Sequence, residues 1–259
     1  MTDSAVAEKA APESDGRMSL MEHLVELRSR LIKMAIAVAI GAAIGWMLYF
    51  PLFEILRQPL VDLSKNPNVD ENFLSTKPLE LFMLRIQIST YLGIALAMPF
   101  LLWQVWAFVS PGLYRNERKY AGAFIFSATL LFMLGAAIAY YTLPAALGFL
   151  QSMGGDMVDI KYSPEEYLKL IVYMMLAFGA GFQFPILLVM LQLVGVIKPK
   201  QLRSFRRFGI VIIFLVAAVI TPSADPFSLM ALALPMVLFY EISIIIGQIV
   251  VGRRALAEE

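Results

Sequence analysis

No cysteine occurs in the chain, and histidine occurs once, at His23. The first absence excludes disulfides, thiolate catalysis, and cysteine-based zinc or iron–sulfur sites. The second removes His-based triads and a histidine metal cage inside a membrane. HExxH, GxSxG and a phosphate-cradling glycine loop are missing too. No enzyme is expected, and no cofactor. Charge is equally scarce: Asp, Glu, Lys and Arg make up 16% of 259 residues, against 59% hydrophobic residues. A soluble domain of this size would not leave its surface so little charge. The net charge of +1 gives no broad attraction to nucleic acid.

What is present is apolar sequence in long blocks. Six can be counted, near 31–53, 81–109, 120–143, 168–197, 208–220 and 227–251. Most are too long for core helices, and the fold class expected is an all-α integral membrane bundle. Residues 1–17 read as a polar tail. The first 16 carry Asp3, Glu8, Lys9, Glu13 and Asp15 with no apolar stretch, unlike a signal peptide. Residues 18–252 form the membrane domain, and 253–259 a second tail.

Basic residues set an expected orientation. Fifteen lie before the first block, in the 109–119 and 198–207 loops and in the C-terminal tail, against four in the opposite set. Both termini are therefore expected in the cytoplasm. Block lengths are uneven. The second and fourth reach about 45 Å as helices, so they must tilt or bend, and Pro99 and Pro185 are the expected bend points; Pro235 sits similarly in the sixth. The fifth offers about 20 Å, too short to cross unaided. A re-entrant hairpin over 208–240 is the rival arrangement. The 54–80 connection has room for one short amphipathic helix.

Polar residues at defined depths are the candidates for function. Met21–Leu31 as a helix puts Leu20, Leu24, Leu27 and Leu31 on one face and Glu22, His23, Glu26 and Arg30 on the other. An interfacial helix with a Glu26–Arg30 pair accounts for most of it. Arg28 falls within the apolar arc and must snorkel or find a partner. After the second block, Trp103 and Trp106 look like interfacial anchors. Glu117 is one acid among Arg115, Arg118 and Lys119, placed either to neutralise them or to receive a cation from the cytosol. Gln183 falls near the bilayer midplane, either bonding helix to helix or facing the bundle interior. Glu241 is deep enough to need a partner or a neutral form. Asp225 suits a helix N-cap ahead of Pro226. Arg85 is expected to snorkel.

Four segments carry a resemblance. EHLVELRSRL before the first span, LLWQVWAFVSPGLYRNERKY after the second, FGAGFQFP in the fourth and TPSADPFS before the sixth resemble the TatC family, in order and at family spacing over about 18–252. TatC is the six-span subunit of the twin-arginine protein translocase. The resemblance implies a cup-shaped bundle with short fifth and sixth helices in the bacterial inner membrane. It also implies single-span TatA and TatB partners, a homo-oligomer within the complex, membrane lipid, and export of folded proteins driven by the proton-motive force. It assigns Glu26, with Arg28 beside it, and Glu117 to recognition of the paired arginines of signal peptides. The family's intramembrane acid falls on Gln183, and its TatB contact on Thr221 and Pro222. A secondary transporter of a small solute is the alternative, expected to show a broken helix pair with charged midplane residues.

Overall fold

The computed structural model describes residues 20–63, 78–109, 121–154, 163–221 and 225–255, and every regular element among them is helical. In chain order these are α1 (Leu20–Met47), α2 (Tyr49–Leu63), α3 (Glu80–Val109), α4 (Ala121–Gly154), α5 (Pro164–Gly181), α6 (Phe184–Leu193), α7 (Pro199–Ser204), α8 (Arg206–Ile220) and α9 (Pro226–Ala255). Five helical stretches among the described residues are long and apolar enough to cross a membrane: Met21–Met47, Glu80–Val109, Ala121–Met153, Pro164–Leu193 and Pro226–Ile249.

Three boundaries differ from expectation. The amphipathic segment before the first span is not a separate interfacial helix, because α1 runs unbroken from Leu20 to Met47. The apolar residues 49–53 belong to α2, the short helix expected further on. Pro51 has no N–H to offer Met47, and a turn at Leu48 divides the two helices there. The sixth helix is not short. α9 runs for 30 residues, taking Pro235 within it and continuing to Ala255. α8, at 15 residues, is as short as its sequence implies.

Small residues bring α1 against α3. Gly41 and Gly45 are one turn apart on α1, and Ser89, Gly93 and Ala97 repeat at the same spacing on α3. A Cβ added at Gly93 would stand 2.5 Å from the Ala42 nitrogen and 2.8 Å from the Val38 carbonyl oxygen. The backbones thus touch, as in small-xxx-small packing, where dispersion and close approach replace the hydrophobic effect lost in lipid. The opposite side of α1 exposes Ile32, Ile36, Ile40 and Ile44, a stripe suited to acyl chains. The buried core lies between α2, α3, α4, α5 and α9, around Leu56, Leu60, Leu84, Ile88, Leu143, Tyr167, Ile171, Phe178, Phe182 and Met236.

Prolines free backbone acceptors, and side chains take them up. Pro59 leaves the Ile55 carbonyl without its helical donor, and Tyr140 of α4 donates to it at 2.8 Å. Tyr167 of α5 donates to the next carbonyl, that of Leu56, at 3.0 Å. The long fourth block breaks at Phe182–Gln183, with Pro185 in the first turn of α6. Pro185 is thus a real break point, whereas Pro99 and Pro235 lie within continuous helices. α6 ends in a Schellman turn: Gly195 at φ 83° sends its N–H to Gln192, and Val196 sends its N–H to Leu191.

Candidate functional site

The N-terminal part of α1 lies along the C-terminal part of α3. Glu26 and Arg30 are partly buried, with 21% and 19% of their side-chain surface exposed, while Leu24 and Leu31 face outward. Leu27 is partly buried as well, and Glu22 is exposed. The packed edge of the helix therefore takes residues from both arcs of the wheel. Arg30 donates to Glu26 Oε1 from Nε at 3.0 Å and from Nη2 at 2.5 Å. Its Nη1 donates to Gln104 Oε1 at 3.1 Å, and Gln104 is buried. The other Glu26 oxygen, Oε2, is buried and accepts no hydrogen bond. His23 stacks on Phe108, ring centroids 4.3 Å apart, closing the packing at the end of both helices. A hollow of about 400 Å³ opens beside Glu22, Glu26, Ser29, Arg30 and Lys33.

Arg28 is exposed on the other side of the helix from Arg30. Glu117 and Pro222 lie outside the described residues. Trp103 is 53% exposed, as an interfacial anchor should be. Trp106 is not an anchor. It is buried against Phe124, centroids 4.7 Å apart, with Met190 beside it. Three residues of helix turn it about 60° from Trp103, enough to exchange lipid for the neighbours α4 and α6.

A second hollow lies in the bundle. Leu102, Phe124, Ala180, Phe184, Met190 and Ile213 help to line a cavity of about 460 Å³ whose one polar side chain among the described residues is Gln183. Gln183 occupies the break between α5 and α6. Its Nε2 donates to the Ala128 carbonyl of α4 at 3.0 Å and lies 3.4 Å from the Gly179 carbonyl. Its Oε1 is buried and takes no hydrogen bond. One end of the amide therefore ties α4 to the α5–α6 break, and the other is an unfilled acceptor in an apolar site. Both readings of Gln183 thus have a structural basis.

Glu241 has found a partner: Arg206 at the start of α8 donates to its Oε2 at 2.6 Å. Tyr240 beside it donates to the Leu202 carbonyl at 2.8 Å, so α9 holds both α7 and α8. Thr221 is buried at the end of α8 and returns its hydroxyl to the Ala217 carbonyl at 2.7 Å. Asp225 caps α9 as expected, with Oδ1 accepting from the Ser228 N–H at 2.7 Å.

Three polar features escaped the sequence reading. Glu80 is buried in the first turn of α3 and accepts from the Ser163 hydroxyl and, at 3.3 Å, from the Glu165 N–H. It caps α5 from another helix, where the dipole favours a carboxylate. Arg85 does not simply snorkel. Its guanidinium lies 4.2 Å from the Trp46 ring and donates to the Trp46 carbonyl at 3.0 Å, at the junction of α1 and α2. Gln192 is buried and donates to the Leu188 and Ser243 carbonyls, joining α6 to α9. Its oxygen occupies the space a Cβ would need at Gly247, 1.8 Å away. The available signal was Gln192, a lone polar residue in an apolar block, and Glu80, an acid at the mouth of the next block.

Comparison with known proteins gives this arrangement a lineage. The profile of the Sec-independent protein translocase protein (TatC) family matches residues 22–235, from the first polar arc of α1 to the middle of α9. The chain belongs to the TatC family. A TatC of Aquifex aeolicus is 40% identical over 240 residues, covering 92% of this chain and 98% of that protein. TatC proteins of Frankia casuarinae and Halothiobacillus neapolitanus are 38% and 36% identical. These alignments cover 90% and 91% of this chain but only 66% and 64% of those longer relatives. A crystal structure of a twin-arginine translocase receptor, TatC, superposes with a TM-score of 0.73 at 39% identity, covering 88% of this chain and 99% of that one. A second, in the detergent DDM, gives 0.74 at 40%, covering 87% and 99%.

Proposed function

We propose that this TatC-family chain is the receptor and core subunit of a twin-arginine translocase. It binds the paired arginines of signal peptides and, with TatA- and TatB-like single-span subunits, exports folded proteins across the bacterial inner membrane using the proton-motive force. Residues 18–252 form the membrane domain between two cytoplasmic tails. α8 serves as the short fifth of six spans, so the chain crosses six times within a cup-shaped bundle. The charge bias of the loops supports cytoplasmic termini. Several copies assemble in the complex, embedded in lipid.

The observation that carries the reading is family membership along residues 22–235 at 38–40% identity to named TatC proteins. The polar arc of α1 supplies the chemistry. Glu26 is a carboxylate held at the end of the bundle, and a carboxylate is the natural acceptor for a guanidinium fork. Arg28, on the exposed side, and Glu117, the second carboxylate, share in recognising the paired arginines. Gln183, Thr221, Pro222 and Glu241 serve as intramembrane and partner contacts. The solute-transporter reading gains no support, because the broken helix carries an uncharged amide rather than a charged midplane pair.

The test is site-specific crosslinking of a twin-arginine signal peptide to the full chain in membranes. Glu26→Gln or Glu117→Gln removes one partner of a charge-assisted pair, about 1.5–3 kcal/mol, or roughly 10- to 150-fold in affinity. Crosslinking should fall by that order at normal protein levels. Undiminished crosslinking in both variants defeats the assignment.

A further inference from the structure

Between Glu166 and Asp225 the chain has no acid. That stretch holds the corner where α7 meets α8, and the corner exposes Lys198, Lys200, Arg203, Arg206 and Arg207. Glu241 of α9 takes Arg206. Lys200, Arg203 and Arg207 have no ion-pair partner among the described residues. Two aromatic rings stand among these charges: Phe205 and Phe208 are exposed and stack on each other, centroids 5.2 Å apart. From Phe208 an exposed apolar stripe continues down α8 through Val211, Leu215 and Val219, spaced three or four residues apart on one helix face. The stripe is about 17 Å long at 1.5 Å per residue, roughly one half of a 30 Å hydrocarbon core. The corner is held from behind. Tyr240 donates to the Leu202 carbonyl at 2.8 Å, and a Cβ at Gly209 would stand 2.9 Å from the Tyr240 oxygen.

We infer that this corner binds one anionic phospholipid, its phosphate held by Arg203 and Arg207 and an acyl chain lying on the α8 stripe. The inference goes beyond the receptor reading and needs only a bundle embedded in a membrane. Helical hydrogen bonds run through the corner, from the Phe205 N–H to Gln201 at 2.9 Å and from the Gly209 N–H to Phe205 at 2.8 Å. Arg203 and Arg207 are therefore neighbours four residues apart. Two guanidinium forks match the oxygens of one phosphate. A zwitterionic headgroup brings its own cation and gains less from them. A bias of bases toward one side of a membrane sets orientation without asking for any lipid. Orientation alone does not require unpaired arginines, exposed rings and an apolar stripe to lie in line. An apolar partner helix would cover the stripe but leave the cations unmatched, so charge favours lipid.

The test uses the full chain with Leu215→Cys, labelled with a bimane fluorophore, in lipid nanodiscs; the native chain has no cysteine to compete. Quenching is compared between acyl-brominated phosphatidylglycerol and acyl-brominated phosphatidylcholine at equal mole fraction. Phosphatidylglycerol should associate about threefold or more in excess, and 0.5 M salt should reduce the excess. Arg203→Gln with Arg207→Gln should abolish it, each cation near an anionic leaflet contributing up to about fivefold. The paired lysine substitutions keep the charge and should retain most of the preference, which separates loss of the site from loss of the fold. Lys169→Gln removes an exposed cation near the start of α5, away from the corner, and should change nothing. Equal quenching by the two lipids overturns the proposal and leaves the stripe to a protein partner. An unchanged preference in the double glutamine variant, or an equal loss in Lys169→Gln, overturns it too.

Discussion

Replacing Gln183 by leucine separates a structural amide from a partner-facing one. The structure allows the cost to be worked out. The substitution removes one well-formed interhelical hydrogen bond, Nε2 to the Ala128 carbonyl at 3.0 Å, and one long contact at 3.4 Å. Interhelical bonds in membranes average about 0.6 kcal/mol. The Ala128 carbonyl lies inside α4, where the helix ladder supplies a donor, so it is not orphaned. Against that loss, leucine also removes Oε1, a buried acceptor without a partner, whose burial costs about 1–3 kcal/mol. On these figures leucine gains about 0.4–2.4 kcal/mol net. Gln183→Leu should therefore leave the thermal midpoint of the isolated subunit unlowered and raise it by about 1–10 °C, at roughly 2–4 °C per kcal/mol. Its effect should appear elsewhere. The 460 Å³ cavity loses its one polar side chain, so crosslinking to a TatA-, TatB- or signal-peptide span and the export rate should both fall. Gln183→Glu should be tolerated, because a low-dielectric site keeps the acid protonated and able to donate to Ala128. The measurements are a thermal aggregation curve in detergent and an export assay with partner crosslinking. A loss of more than about 5 °C in the leucine variant would show that the amide is structural glue. Unchanged export and crosslinking would refute the partner role.

Other outcomes follow from packing and topology. Gly93→Val would place a Cβ 2.5 Å from the Ala42 nitrogen and 2.8 Å from the Val38 oxygen; since neither backbone can yield locally, α1 and α3 must separate, at the upper end of the usual 1–3 kcal/mol or beyond, read as a lowered thermal midpoint. Tyr140→Phe strips the donor from the Ile55 carbonyl that Pro59 leaves free, so a loss of about 1–2 kcal/mol is expected in the same assay, and a neutral result would mean that water or lipid headgroups replace the hydroxyl. Because the chain has no cysteine, single cysteines can be introduced without background: an impermeant maleimide added outside sealed cells should reach positions 64 and 156 but not 116. Labelling at 116 would reverse the orientation.

Most of the fold was legible because the bilayer imposes a length and helices impose a period. Span lengths, the shortness of α8, the break before Pro185 and the Asp225 cap all follow from local chemistry: apolar run length, a missing proline N–H, a side-chain oxygen one turn before a free amide. The misplaced features have separate causes. The α1–α2 break is local and follows from Pro51, the short sixth helix is implied by the resemblance although the 227–251 block is long, and where Trp106 points depends on which neighbours are in reach, about which periodicity carries no information. The wheel of residues 20–31 separates two faces but does not say which residues meet α3: the packed edge straddles them, with Leu27 from the apolar arc and Glu26 and Arg30 from the polar one partly buried.

That packed edge carries the candidate site. An isolated surface pair such as Glu26–Arg30 is worth a few tenths of a kcal/mol on an exposed helix and would ordinarily be set aside. What distinguishes this pair is Gln104, 74 residues away, whose position opposite Arg30 no local pattern encodes. Trp103, Gln104 and Trp106 share one segment, in which the tryptophans carry the familiar aromatic-belt signal of a membrane. The glutamine between them joins two of the four segments that carry the family resemblance: it seats the EHLVELRSRL helix on α3. A single polar residue in an apolar block is costly unless it bonds. Gln104, Gln183 and Gln192 each meet that cost by joining one helix to another. In a chain with so little charge, these amides mark where helices must stay in register, and two of the three, Gln104 and Gln183, lie at the proposed contact sites.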